Sequence, residues 1–264
     1  MPLARKSPPT AACSVLAVVP RVLKEVSAMK IRIKFTKQGP VKFIGHLDVM
    51  RYFQKAMRRA DVDIKYSEGF SPHQVMSFAA PLGVGLTSNG EYMDIEVHSM
   101  TDCDTLMKQL NEVMAEGICV TECRRLNDNA KNAMSLVAAA DYTVTFREGK
   151  EPEDRKGFFD GLLKFKDQDH ILIVKKSKKG EREVDLKNYI YQLSVSDNKI
   201  FMKISAGSAD NLKPELVMEA YDQWRGEASP EFAFCIQREE VYGNTGDEAN
   251  PVLVPLGLIG ESIE

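Results

Sequence analysis

The residues of this chain whose types and spacing best suit chemistry are four cations, Arg51, Lys55, Arg58 and Arg59, with two histidines, His46 and His73, on either side. At about 100° per residue the four cations fall on one side of a helix, apart from Met50, Phe53 and Met57. Asp48 is the only nearby acid to offset them. Such a stripe suits the phosphates of a nucleic acid, and a solvated helix face carries the same pattern. His46 follows Gly45 at the expected helix start, where free backbone N–H groups favour an anion. It reads either as a packed capping histidine or as a phosphate-binding or acid/base group.

Further cations extend the stripe: Lys30, Arg32 and Lys34 alternate along the preceding segment, and Lys42 lies between the two. Between Met29 and Tyr66 there are ten Lys/Arg against three Asp, although the whole chain of 264 residues has a formal charge of −3. A basic block on an acidic chain points to a confined polyanion site rather than to general stickiness. In the turn-rich stretch Tyr66 to His73, Gly69 permits unusual backbone angles and Pro72 fixes the entry to the next strand. Tyr66, Phe70 and His73 can stack on exposed bases, and Phe70 can equally anchor the loop in the core. The candidate RNA contacts are therefore Lys34, Lys42, His46, Arg51, Lys55, Arg58, Arg59, Tyr66, Phe70 and His73.

Other constellations carry less. Gly83-Val84-Gly85 reads as a hairpin, since no helix follows it as a dinucleotide fingerprint requires. Asp94 and Glu96 share a strand face and read as a solvated edge, as does the Asp185 region. The histidines at 46, 73, 98 and 170 show no metal-ligand spacing, so no metal is assigned. The five cysteines form no disulfide framework.

Elements that position these residues follow from the periods. Lys30 to Phe35 alternates as a half-buried strand, His46 to Ala60 is helical, and Val75 to Pro81 and Glu91 to Val97 read as strands. Thr101 or Asp102 caps a second helix that ends at Gly117, and Ile118 to Cys123 is another strand. A similar order recurs from Tyr142 to Tyr242: strands at 142–146, 170–175, 199–205 and 232–242, helices at 154–165 and 214–224, and a long insertion around Val184 to Ile190. The expected fold is α+β, two tandem ferredoxin-like (β-α-β-β-α-β) domains with antiparallel sheets. Their boundaries are 29–126 and 141–242, joined by a linker over 127–140. Residues 1–28 read as a disordered tail or a start upstream of the true one at Met29, and 243–264 as a C-terminal tail whose apolar part, Asn250 to Ile259, could dock. With 44% hydrophobic and 28% charged residues, and no apolar run near the roughly 20 residues of a membrane span, the chain is expected to be cytoplasmic.

The run Gly39-Pro40-Val41-Lys42-Phe43-Ile44-Gly45-His46-Leu47-Asp48, followed by Tyr66-Ser67-Glu68-Gly69-Phe70-Ser71-Pro72-His73 and Phe78-Ala79-Ala80-Pro81-Leu82-Gly83-Val84-Gly85, resembles a radical-SAM-associated bacterial family whose function is unknown. The resemblance runs from about Lys30 to Tyr242. Members occur fused behind a radical-SAM enzyme or as separate chains, which implies a radical-SAM enzyme as partner. Cys119 and Cys123 have the first spacing of the cluster-binding Cys-x3-Cys-x2-Cys triplet, but its third position is Leu126. The chain itself is therefore expected to hold no cofactor, with the cluster in the partner. The reading that follows is a non-catalytic accessory that presents ribosomal or transfer RNA to that enzyme. The alternatives are a metal-independent endoribonuclease similar to those that process CRISPR repeats, with His46 as the candidate catalytic residue, and a pure protein-interaction domain.

Overall fold

The computed structural model describes residues 28–177, 180–207, 210–247 and 250–260. All but the last residue of the expected N-terminal tail therefore lies outside the described residues. The first half runs β1 (Met29–Lys37), a 3-10 turn (Gly39–Phe43), α1 (His46–Arg59), β2 (Met76–Phe78), β3 (Thr87–Val97), α2 (Cys103–Val113) and β4 (Ile118–Leu126). The second runs α3 (Ala133–Leu136), β5 (Val137–Phe146), α4 (Arg155–Lys166), β6 (Leu172–Ser177), β7 (Gly180–Asp185), β8 (Ile190–Ser196), β9 (Lys199–Ser205), α5 (Pro214–Arg225), β10 (Phe234–Asn244) and β11 (Leu253–Pro255). The fold is mixed α+β, built on a large, mostly antiparallel sheet.

Local chemistry explains the elements. In β1, Ile31, Ile33 and Phe35 are buried on the side of the helices, as period-two alternation requires. They pack with Val49, Phe53 and Met57 of α1 and with Leu106 and Leu110 of α2. Phe35, Phe53 and Phe78 meet there with ring centroids 4.7 to 6.1 Å apart. Asp102 caps α2, accepting the Thr105 N–H at 2.7 Å. In the second half Phe158, Leu162 and Phe165 of α4 and Val217, Met218 and Tyr221 of α5 cover Tyr142, Val144, Met202 and Ile204.

The strand order is β4-β1-β3-β10-β5-β9-β8, with β2 added to β3 and β11 to β10. Two findings differ from the sequence expectation. The halves do not carry separate sheets: β10 is hydrogen-bonded to β5 on one side and, in parallel, to β3 on the other, through Gln237–Thr87 and Arg238–Ser88. Gly90 makes this join possible, because a Cβ there would meet the Glu239 carbonyl at 2.6 Å. Second, the strand beside β9 is β8, not β6. β6 pairs only with β7, forming a hairpin off the main sheet. The strand β5 also begins at Val137 and α3 precedes it, so the segment expected to be a linker is partly regular structure.

At the join, Arg238 and Glu91 form a buried bidentate ion pair, with Nε to Oε1 at 2.9 Å, and Arg238 also donates to the Ala80 carbonyl. On the face away from the helices, Arg32 reaches Asp94 at 2.8 and 3.0 Å and donates to the carbonyls of Leu256 and Ile259, both at 3.0 Å. The apolar C-terminal segment thus docks on the protein's own sheet, with Leu256 fully buried.

Candidate nucleic-acid interface

The basic helix is held from below. Lys37, at the end of β1, is buried and its Nζ donates to the Ile44 carbonyl at 3.0 Å, fixing the turn that delivers the chain to α1. Burial pushes the Lys37 ammonium below the usual lysine value, with Glu91 opposing the shift. Gly45 then caps α1 by accepting the amides of Asp48 and Val49 at 3.1 and 3.0 Å. Its lack of a side chain leaves that helix end without a side-chain cap.

With Val49, Phe53, Ala56 and Met57 turned into the core, Arg51, Lys55, Arg58 and Arg59 are all exposed. Their partners are few. Arg51 lies 3.3 Å from Asp48 in an exposed pair, worth about 0–1 kcal/mol. Arg58 donates to its own helix at the Gln54 carbonyl, 3.2 Å away. Arg59 donates to the Val113 carbonyl at 3.2 Å and lies over the Tyr52 ring at 5.6 Å. Lys55 has no partner among the described residues. One carboxylate therefore faces four cations, a surface that attracts polyanions.

Beside this face runs the Tyr66–His73 loop. Gln74 ties it to α1, donating to the Gln54 carbonyl at 3.2 Å and to the Tyr66 hydroxyl at 3.5 Å. Ser67 Oγ and His73 Nδ1 close the loop at 2.8 Å. Phe70 at its tip is fully exposed and Tyr66 is 46% exposed, so the ring of Phe70 anchors nothing in the core. The exposed Phe70 ring is available to stack on a base, although a single exposed apolar side chain is common on protein surfaces.

The other sequence candidates are distributed differently. His46 sits at the start of α1 with its ring edge-on to Phe78, centroids 5.3 Å apart, and forms no hydrogen bond among the described residues. Lys42 lies over the Phe43 ring, and its carbonyl accepts the Gly85 amide at 2.8 Å. His73 turns away from α1 into a depression of about 420 Å³ that Lys30, Asp94 and Asn132 also line. Lys34 is on the opposite face of the sheet, between Glu240 at 2.8 Å and Glu122 at 3.2 Å. Burial disfavours its charge, but the two carboxylates outweigh that and raise its pKa. Lys34 and Arg32 are therefore structural cations, and Asp94 and Glu96 are ion-paired rather than a solvated edge: Asp94 holds Arg32, and Glu96 lies 2.7 Å from Lys65. The sequence reading missed Lys37, the Glu91–Arg238 pair and the exposed Phe43, Leu47 and Val84 near His46. Apolar residues adjoining glycines in the 39–47 and 82–85 segments are the only signal that could have found the last three.

The arrangement thus gathers Arg51, Lys55, Arg58 and Arg59 with Tyr66 and Phe70, and sets His46 at one end. A family model covers residues 30–214, which includes every one of these side chains. The chain belongs to the family described as uncharacterized protein conserved in bacteria (DUF2344). No curated protein is similar to it in sequence. Among solved structures, one chain from the crystal structure of a Cbf5-Nop10-Gar1 complex is similar over 80% of this chain, with 11% identity and a TM-score of 0.38. This protein spans about half of that chain, 48% of its length. Among the described residues no group of three or more His, Cys, Asp or Glu could hold a metal ion, and no helix is long and apolar enough to cross a membrane.

Proposed function

We propose that this protein binds RNA along the outer face of α1 and serves as the RNA-holding accessory of a radical-SAM enzyme supplied by another chain. One observation carries the RNA reading: four exposed cations on one helix with a single exposed carboxylate among them, flanked by a loop that holds an aromatic ring in solvent. Cations in this state release counterions on meeting phosphate, and exposed rings stack on unpaired bases. The partner rests on the resemblance of the 39–85 motifs to modules fused behind radical-SAM enzymes. In the same reading each half is a ferredoxin-like unit. The orders β4-β1-β3-β2 and β10-β5-β9-β8 support this, since each follows the 4-1-3-2 arrangement of a β-α-β-β-α-β chain once the β6–β7 hairpin is set aside.

The test is purification of the full chain with and without nuclease treatment, followed by analysis of co-bound nucleic acid and of co-purifying iron–sulfur protein. RNA that nuclease removes, together with an iron–sulfur partner, is the expected result. A nucleic-acid-free protein that still recovers the partner would overturn the RNA reading and make the basic face a protein-docking surface.

A further inference from the structure

Where the two halves join on the helix side, a cavity of about 350 Å³ opens between the Ala79–Leu86 segment and the start of α5. Its size is at the lower end for small-molecule pockets, which run from about 300 to 1,000 Å³. Ala79, Leu82, Tyr142, Leu212, Pro214 and Arg238 lie deep in it and are buried. Pro81, Gly83, Met134 and Lys213 line it from exposed positions and form its mouth. Most of the lining is aliphatic; of the polar residues, Tyr142 and Arg238 are buried and Lys213 and Glu215 are exposed.

Those polar groups have a definite state. The guanidinium of Arg238 is neutralised by Glu91 and donates to the Ala80 carbonyl. Burial raises the Tyr142 pKa, so its hydroxyl keeps the proton it can donate. At the mouth Lys213 offers a cation and Glu215 an acceptor. With Arg238 already paired to Glu91, and Lys213 beside Glu215 at the mouth, the cavity suits an uncharged group better than a bare anion.

Position identifies the occupant. The wall segment of the cavity is the same one that touches the basic side: His46 lies against Phe78, and the Gly85 amide is bonded to the Lys42 carbonyl at 2.8 Å. The start of the basic helix and the cavity are therefore joined by one short segment, with Lys213 on the far rim. We propose that the cavity receives one unpaired base of the bound RNA, held between aliphatic walls and read by the Tyr142 hydroxyl. This rests on the RNA function proposed above. Bases taken out of a stack are commonly held between apolar side chains and recognised by hydrogen bonds at one edge.

The experiment uses the full chain and uncharged nucleosides, on which the α1 cations have no hold. Adenosine, cytidine and uridine are titrated by saturation-transfer NMR, and a structured RNA is titrated in parallel. Gly83→Phe places a ring at the mouth: the backbone there has no positive φ and the nearest atom to an added Cβ is Leu86 Cδ1 at 3.7 Å, an ordinary van der Waals contact. Met134→Trp, at a position 53% exposed on another wall, is the second blocking variant. Millimolar binding of at least one nucleoside, weakened roughly tenfold or more by both variants and unchanged by glutamine at 51, 55, 58 and 59, is the expected result. Absence of nucleoside binding while salt-dependent RNA binding persists would overturn the base pocket and leave the helix reading intact. Nucleoside binding untouched by both variants would overturn it as well. Nucleoside binding without any RNA binding would instead overturn the RNA reading on which the proposal rests.

Discussion

Changing Arg51, Lys55, Arg58 and Arg59 together to glutamine should flatten the salt dependence of RNA binding. Four phosphate contacts give a slope of about −3 in log K against log salt, so a fourfold rise in salt lowers affinity about 60-fold. The structure trims that figure. Arg59 is committed to the Val113 carbonyl and the Tyr52 ring, leaving Arg51, Lys55 and Arg58, whose partners are at most a weak exposed pair and a carbonyl of the same helix. The slope then becomes about −2.3 and the loss about 25-fold. In the variant the slope should fall to about −1 or shallower, with only peripheral cations such as Lys42 remaining. The assay is fluorescence anisotropy with a labelled structured RNA across a salt series. Stability provides the control. All four side chains are exposed, but Arg58 and Arg59 are in the last turn of α1, where each cation is worth about 0.3–1 kcal/mol against the helix dipole. A loss of about 1 kcal/mol in urea unfolding is therefore expected, too little to unfold the domain. A folded variant that keeps the wild-type slope would refute the reasoning, because the cations would then be solvated and nothing more.

Three further outcomes follow from the buried and exposed ion pairs. Asp94→Asn leaves the Arg32 guanidinium without its counter-charge and should cost about 3–5 kcal/mol, with faster proteolysis beyond Gly243 because Arg32 also holds Leu256 and Ile259. At the join, Arg238→Met alone should destabilise more than the double change Glu91→Met with Arg238→Met, since the single change strands a buried carboxylate; urea melts of both variants decide it. The His170–Asp185 contact should be strongest in a window of pH. Its hydrogen bond to Asp185 raises His170 above the ordinary 6.5, so that contribution is complete below 6.5 and is lost as pH rises through the raised value. Hydrogen bonds from His170, Lys187 and Ile171 lower Asp185 from 3.8 to about 2, so its contribution is complete above 3.8 and is lost as pH falls towards 2. Protection of the Ile171 and Lys187 amides against exchange, relative to their intrinsic rates at each pH, should be greatest between those limits, and His170→Ala should remove the upper one.

Much of the first half is legible in the sequence because its signals are local. The helical spacing of Leu47, Met50, Phe53 and Met57 marks α1 from His46, although Leu47 is exposed and Val49 is buried in its stead, and Thr101 or Asp102 announces α2 by capping chemistry, the cap being Asp102. Two features escape for physical reasons. In β8 only Leu193 is deeply buried, and the pairing slips between Ile190 and Gln192, so the strand shows little alternation to detect. The β3–β10 join is two residue pairs between segments about 150 positions apart, and no local pattern encodes it. The candidate site divides along the same line. Exposed cations on a helix can be inferred from the wheel, whereas Lys34 and Arg32 look identical in sequence and differ only in the carboxylates that β3, β4 and β10 bring opposite them.

The position of β10 also governs the order in which the protein can assemble. Among the described residues it is the last long strand in the sequence, yet it occupies the middle of the sheet between β3 and β5. Until it emerges from the ribosome, the first half presents the open edge of β3 with Glu91 uncompensated, and the second half presents the open edge of β5. Contacts this distant in sequence form late and slowly, and uncovered strand edges recruit other chains meanwhile. The protein therefore depends on β10 to close both halves at once. Chains interrupted before residue 234 should be caught by chaperones or aggregate rather than persist as a folded first half.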